Sequence, residues 1–329
     1  MATRFLKATG IGSISALALA AMSGTAAADT SLDFYGFIHA NVDYNDAAEG
    51  EVDFRATGDW VPSRLGVRGE HELAPGVTGL AVLEYGHFAE FGEGDLEEGE
   101  FQGSAMAQDR SPGVRLGYAG MDFEGVGTVT LGSQWSLHYD WVTVQTDLFF
   151  GDHRNVHAGP HQPRFRPDNN LQFRSASFGG FQFAVEATAD RDTPDDDIDE
   201  IAAAVRYQQG PLTVAATILD VQADDGETVI AAAGTYDFDV VALSLLVNDY
   251  DEADTTNFEF AAAVPVTEQW TVSGIVNLAD DADDGDDVIG YGAEAVYSFP
   301  GGNFAYVGIS DNDADDDSLR ANVGYGINF

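Results

Sequence analysis

Cysteine is absent from this chain of 329 residues, which excludes disulfides, Cys-ligated metals and a thiol nucleophile. Lysine occurs once, at Lys7, and all other basic residues are arginine. No run is long and apolar enough to cross a bilayer as a helix. Positive charge is scarce: 14 Lys and Arg stand against 56 Asp and Glu, a net charge of −42. That balance excludes nucleic acid as a partner, because a polyphosphate needs cations to neutralise it. An Asp-rich surface without lysine suits high salt, where hydrated carboxylates keep a protein soluble and the Debye length falls to roughly 3 Å at 1 M. The acids come in bursts between apolar alternating segments, which argues against a disordered acidic tail.

What is present begins with Arg4 and Lys7, an apolar stretch from about Ile11 to Ala21, and Ala26-Ala27-Ala28 before Asp29. This pattern predicts a secretory signal peptide over residues 1–28 and an exported unit over 29–329. At the far end, Leu319, Ala321, Val323, Tyr325, Ile327 and Phe329 alternate with Arg320, Asn322, Gly324, Gly326 and Asn328. Lipid outside and water inside impose that alternation on a membrane strand. A half-buried strand of a soluble sandwich alternates too, but export favours the membrane.

Period-2 runs bounded by Gly, Pro, Asp and Asn predict about sixteen strands between positions 31 and 329. Connections after even-numbered strands are tight, as at Ala74-Pro-Gly76, Glu124-Gly125, Gln209-Gly-Pro211 and Phe299-Pro-Gly-Gly302. Those after odd-numbered strands are long and acidic, at 45–58, 89–109, 135–168, 190–200, 220–227, 249–254, 280–287 and 311–317. Nearly all of the acidic charge therefore gathers at one end, and only an up-and-down meander sends every second connection to the same side. Phe123, Phe178, Phe181, Phe238, Trp270, Phe299 and Phe304 crowd the tight-turn end, as an interfacial girdle would. The expected fold is all-β: a 16-stranded antiparallel transmembrane barrel of a bacterial outer membrane, wide enough for a water-filled lumen. A secreted sandwich or propeller is the competing architecture.

The order and spacing of several segments resemble the general trimeric porins of Gram-negative outer membranes, over essentially the whole exported unit. These are Leu32-Asp-Phe-Tyr-Gly-Phe-Ile-His-Ala-Asn-Val-Asp-Tyr44, Ser63-Arg-Leu-Gly-Val-Arg-Gly-Glu-His-Glu-Leu73, Gly117-Tyr-Ala-Gly-Met121, Gly127-Thr-Val-Thr-Leu-Gly-Ser-Gln-Trp135, Asn169-Asn-Leu-Gln-Phe-Arg-Ser-Ala-Ser-Phe-Gly-Gly-Phe181 and the terminal Phe329. Ser133 departs from the pattern, since the family more often has Arg there. The resemblance implies a homotrimer in outer-membrane lipid, with 89–109 (Glu93, Asp95, Glu97, Glu98, Glu100) latching a neighbouring subunit. It also implies a third long loop folded into the lumen, and a terminal signal at Tyr325, Ile327 and Phe329 read by the outer-membrane assembly machinery.

The longest connection, Trp135 to Asp168, carries Asp140, Asp147, Asp152 and Asp168, and a loop of that length is usually functional. Strand parity places Arg64, Arg68, Arg115 and Arg174 with polar neighbours such as Glu70, Asn170 and Gln172, opposite Leu65, Val67, Leu116, Leu171 and Phe173. The resemblance implies a constriction in which loop acids face wall arginines, and carried onto this sequence it sets Asp140, Asp147 and Asp152 against those four arginines. The plainer reading is that the arginines only pair with carboxylates and solvate the wall.

Other signals are weaker. His153, His157 and His161 recur at helical spacing for a metal, but Gly159, Pro160 and Pro163 interrupt any helix, so a solvated loop is expected. The acidic runs 195–200 and 280–287 suggest calcium, yet around Gly285 an EF-hand would need ligands where Ala282 and Tyr291 stand. No nucleophile, base and orienting-acid set and no phosphate-binding Gly loop stands out. The function expected is passive diffusion of ions and small hydrophilic solutes, with no cofactor and no catalysis. Alternatives are a solute-specific porin with aromatic rails, a barrel enzyme with a Ser-His or Asp-His pair at the rim, or a plugged adhesin.

Overall fold

A strand with an apolar face on one side and polar or small residues on the other still presents unpaired backbone groups at its edges, and in lipid only closure of the sheet satisfies them. The computed structural model describes residues 30–46, 50–55, 61–86, 113–153, 156–157, 165–189, 198–222, 226–251, 253–283, 286–314 and 318–329. The strands are β1 Thr30–Asn45, β2 Glu51–Arg55, β3 Arg64–Ala74, β4 Val77–Gly86, β5 Gly113–Phe123, β6 Gly127–Ser133, β7 Asn170–Ser175, β8 Phe181–Thr188 and β9 Glu200–Gln209. They continue with β10 Leu212–Val221, β11 Thr228–Asp237, β12 Ala242–Tyr250, β13 Thr255–Pro265, β14 Trp270–Asp283, β15 Asp286–Ser298, β16 Phe304–Asn312 and β17 Arg320–Asn328. The signal segment 1–28 and the connection 89–109 lie outside the described residues.

Every pairing among the described strands is antiparallel, between chain neighbours from β3 to β17, and β17 returns to β1 with Ile327 opposite Ile38 and Tyr325 opposite Ala40. The ring has sixteen staves although seventeen strands form, because β2 and β3 share one position. β3 pairs with the first half of β1, from Thr30 to Phe37, and β2 pairs with its second half, from Asn41 to Asn45. The connection expected at 45–58 thus contains a short strand that prolongs the wall above β3.

Burial alternates as lipid and lumen require. On β17, Asn322, Gly324 and Gly326 are buried, while Val323, Tyr325, Ile327 and Phe329 are exposed. The tight-turn end carries aromatics in contact, exposed Phe181 with half-buried Tyr207 at 4.6 Å and exposed Tyr236 with Phe238 at 4.5 Å. Turn chemistry follows the sequence: Gly210 takes φ 58° between β9 and β10, a conformation that suits a residue without Cβ.

Two expectations fail, one of the girdle and one of parity. Phe304 is no girdle residue; it turns to the inner side and stacks on Phe37 at 5.9 Å and Phe150 at 3.9 Å. Leu116 does not lie opposite Arg115, because a β-bulge sets Glu84 against Leu116 and Tyr85 against Val114, leaving Arg115 as the extra residue. Two consecutive residues then share the inner side, and Leu116 is buried.

Candidate functional site

Between β6 and β7 the chain leaves the sheet, and its two stems first hold each other. The Ser136 amide donates to the Phe165 carbonyl at 2.9 Å, and Gln134 Nε2 donates to Asn170 Oδ1 at 3.0 Å. No Gly or Pro interrupts Ser136 to Asp147, and this stretch coils into a π-helical turn, His138–Val142, followed by a 3₁₀ turn, Thr143–Gln145. Leu137, Trp141 and Val142 fall on one side of it. They pack on Ala184, Ala204, Ala215, Ala231, Ala233 and Leu246, a patch of small side chains spread over β8 to β12.

Wall carboxylates hold the backbone of this segment. Glu186 on β8 accepts from the Leu137 amide at 3.1 Å and from Gln172 Nε2 at 2.7 Å. Glu294 on β15 accepts from the Phe150 amide at 2.9 Å and the Gly151 amide at 2.8 Å. Glycines on the opposing surface allow the close approach: a Cβ on Gly290 would stand 2.1 Å from the Val156 carbonyl oxygen. His157 Nδ1 then lies 3.3 Å from Glu259 Oε1 on β13.

The expected site residues separate into three groups. Arg174 and Asp140 meet, with Nη1 donating to Oδ2 at 2.5 Å while Arg174 Nε bonds Gln172 at 2.9 Å. Arg64 and Arg115 instead converge on Glu84: Arg64 Nε stands 3.7 Å from Oε2, Arg115 bonds Oε1, and Tyr35 donates to Oε2 at 3.0 Å. Arg68 lies further along β3 beside Asp33, at 3.4 Å. Of the remaining segment acids, Asp147 accepts from the Tyr139 hydroxyl at 2.6 Å, and Asp152 accepts from Arg320 at 2.5 Å.

Sequence reasoning missed Glu84, Glu186, Glu259 and Glu294, each the sole acid on the inner side of its stretch of strand, as in Phe181-Gln-Phe-Ala-Val-Glu186. Arg166, Arg206 and Arg320 were also missed. Arg166 and Arg115 each stand 4.8 Å from the Trp135 ring centroid, and Arg206 stands 4.6 Å from that of Trp141, placing cations over π faces.

Titratable groups of the segment respond to burial in opposite senses. Burial pushes His138 down to about 4. It also lowers His153, helped by the neighbouring His157. For His157 burial again opposes charge, but the Glu259 carboxylate outweighs it and holds the imidazole above its ordinary value. Burial and Asp147 raise the Tyr139 hydroxyl well above the usual phenol range. Of the histidines expected in a solvated loop, His153 is buried and His157 keeps only 11% side-chain exposure, which corrects that expectation for these two, while His161 lies outside the described residues. Among the described residues no group of three His, Asp or Glu side chains is placed to hold a metal.

Residues 15–317 match the sequence family described as Gram-negative porin. An outer membrane porin protein of Bordetella pertussis is 26% identical over 278 residues, covering 70% of this chain and 67% of that protein. A major outer membrane protein of Pasteurella multocida is 26% identical over 196 residues, 56% of this chain, and the chain spans only 54% of that relative. Among solved structures, Salmonella typhi OmpF in complex with daunomycin superposes with a TM-score of 0.73 at 17% identity, over 91% of this chain and 97% of that one. The anion-selective porin from Comamonas acidovorans gives 0.70 at 20% identity, over 91% and 99%. At these identities the superpositions carry the fold alone.

Proposed function

This chain belongs to the Gram-negative porin family, and from that premise we propose that it is a general diffusion channel for ions and small hydrophilic solutes. It is an outer-membrane β-barrel and a transport protein, not an enzyme. In the proposed mechanism the segment between β6 and β7 is the third long loop, folded into the lumen to narrow it. Arg174 and Asp140 face permeating solute there, with Arg64, Arg68 and Arg115 forming the basic wall and Asp147 and Asp152 on the loop side. The passage discriminates by size and by the field across it, and no bond is made or broken.

The observation that carries this reading is the pair of carboxylates that hold the segment, Glu186 on β8 and Glu294 on β15, seven strands apart along the sheet. A segment hydrogen-bonded to buried inner-face residues so far apart spans the cross-section of the ring. A solute-specific channel would need aromatics open to the lumen. Phe37, Phe304 and Tyr306 on the inner side are instead buried against each other and Phe150, which favours the general channel. The proposal extends to a homotrimer, to export under the 1–28 signal, and to Tyr325, Ile327 and Phe329 as the assembly signal.

Reconstitution in a planar bilayer tests the channel, and deletion of about residues 148–159 tests the constriction. The expected outcome is a folded barrel with higher single-channel conductance and a larger solute limit. Unchanged conductance in a folded deletion variant would refute the constriction while leaving the channel intact.

A further inference from the structure

On the outer face of β13 to β16 the rows of side chains dip into a groove. The register sets Phe260, Val276, Tyr291 and Asp311 in one row across these strands, and Ala262, Gly274, Ala293 and Ile309 in the next row towards the tight turns. Both rows lie on the lipid side, where Phe260, Val276, Tyr291 and Ile309 are exposed. Two residues along a strand separate the rows by about 7 Å. A third row, Val264, Val272, Ala295 and Val307, closes the far side. The space between the bulky rows measures about 430 Å³.

The groove has a polar end, lined by Asp311 and Tyr291. The Tyr291 hydroxyl donates to Asp311 Oδ2 at 3.3 Å, the Asn312 amide donates to Oδ1 at 3.0 Å, and Ser318 Oγ also donates to Oδ1. All three donors are neutral. Arg320 is the sole basic residue between positions 242 and 329, and it turns inward to Asp152. Towards the long connections the same outer face exposes Asp249, Asp280 and Asp287. A carboxylate that faces lipid is costly without a counter-ion, and this side of the wall supplies none among its described residues.

We propose that the groove seats one acyl chain of a lipid whose headgroup carries a primary amine, with the ammonium at Asp311 Oδ2 and the Tyr291 hydroxyl oxygen. Charge decides the head: an ammonium brings the cation that the wall lacks, whereas an anionic head meets carboxylates alone. Shape decides the tail. At about 4.8 Å between strands the groove runs about 14 Å, close to the roughly 15 Å of hydrocarbon in one leaflet. The proposal rests on the barrel's place in the outer membrane and is independent of the constriction reading.

The test is native mass spectrometry of the delipidated full barrel, incubated without divalent ions with phosphatidylethanolamine, phosphatidylcholine or phosphatidylglycerol of identical acyl chains. The ethanolamine lipid should be retained roughly two- to fivefold more than the other two, the range that a partly exposed ion pair supplies. Asp311→Asn should abolish that preference. A Cβ on Gly274 meets nothing nearer than the Gly292 carbonyl oxygen at 3.7 Å, so Gly274→Leu should fill the groove and abolish the preference as well, with Ala262→Leu as the second filling variant. Wild-type single-channel conductance in each variant shows that the barrel is intact. Equal retention of the three lipids, or a preference that survives either Asp311→Asn or the filling variants, would overturn the proposal. Retention of phosphatidylglycerol on adding calcium, above that of the amine lipid, would replace the ammonium with a bridging metal ion, and a dimer lost on filling the groove would assign it to a second copy of the chain.

Discussion

The two sides of the barrel treat charge in opposite ways. From β3 to β9 the inner wall carries Arg64, Arg68, Arg115, Arg174 and Arg206, and several stay partly open: Arg68 and Asp33 retain 42% and 39% side-chain exposure, Arg174 and Asp140 30% and 31%. From β12 to β15 the inner wall carries Asn248, Asn257, Glu259, Asn277 and Glu294, all buried beneath or beside the β6/β7 segment. Arg64 and Arg115 are closed around Glu84, but the rest of the first wall stays partly open whereas the second is closed. Under the proposed function, charge on the first would act on permeating solute, whereas Glu294 on the second holds the segment's backbone, so substitutions on the two walls should separate permeation from architecture.

The largest effect should come from Glu294→Ala. Two amides, of Phe150 and Gly151, lose their acceptor, and a buried unpaired group costs roughly 1–3 kcal/mol. Hydrogen exchange at those amides should accelerate at least tenfold and channel conductance should rise. Exchange as slow as in the wild type would mean that the wall carboxylate is not what holds the turn.

Next in size is Gly290→Ala, whose Cβ would meet the Val156 carbonyl oxygen at 2.1 Å. Overpacking of this kind costs about 1–3 kcal/mol. Gly274→Ala is the control, since its Cβ would come only within 3.7 Å of the Gly292 carbonyl oxygen. Denaturant midpoints should fall for the first and hold for the second.

The pH response should be intermediate. Burial opposes charge on His157 but the Glu259 carboxylate outweighs it, so its folded pKa lies above the unfolded value, and its contribution is complete below pH 6.5 and lost as pH rises through the folded value. His138 runs the other way: its folded value near 4 means that stability is lost as pH falls from 6.5 towards 4. His157→Asn should flatten only the alkaline limb of a stability profile, and an unchanged limb would assign that limb to another group.

Smallest in stability is Asp140→Asn. The half-exposed pair with Arg174 contributes about 0.2–1 kcal/mol, but its loss should shift reversal potentials towards anions. In the wild type, cation preference should be strong near 0.1 M salt, where the Debye length is about 10 Å, and weak near 1 M, where it is about 3 Å. Anion preference at the lower concentration would show the arginine wall prevailing over the acidic mouth.

The staves were legible because lipid and water impose a period of two along each strand, and the turns because Gly and Pro punctuate them. Parity sets Arg64, Arg68 and Arg174 on one face of their strands, and of these Arg64 is buried. It failed at Leu116, where a bulge adds a residue, and at Phe304, whose aromatic character suggested the girdle while its side chain packs inward. The anchoring carboxylates stayed hidden for a different reason. Glu186, Glu259 and Glu294 are single acids in apolar runs, and the dense acidic bursts of the long connections outweighed them in any count. Arg320 and Asp152 are 168 residues apart, and nothing local announces such a pair.

The alanines at 184, 204, 215, 231 and 233 have a consequence for modularity. They form an apolar strip on the inner side of the barrel, kept from water because Leu137, Trp141 and Val142 cover it. The segment and the strip are therefore cast and mould. A loop grafted from another barrel without an equivalent ridge would leave that strip bare to water, and a barrel accepting this loop would need the same run of small side chains.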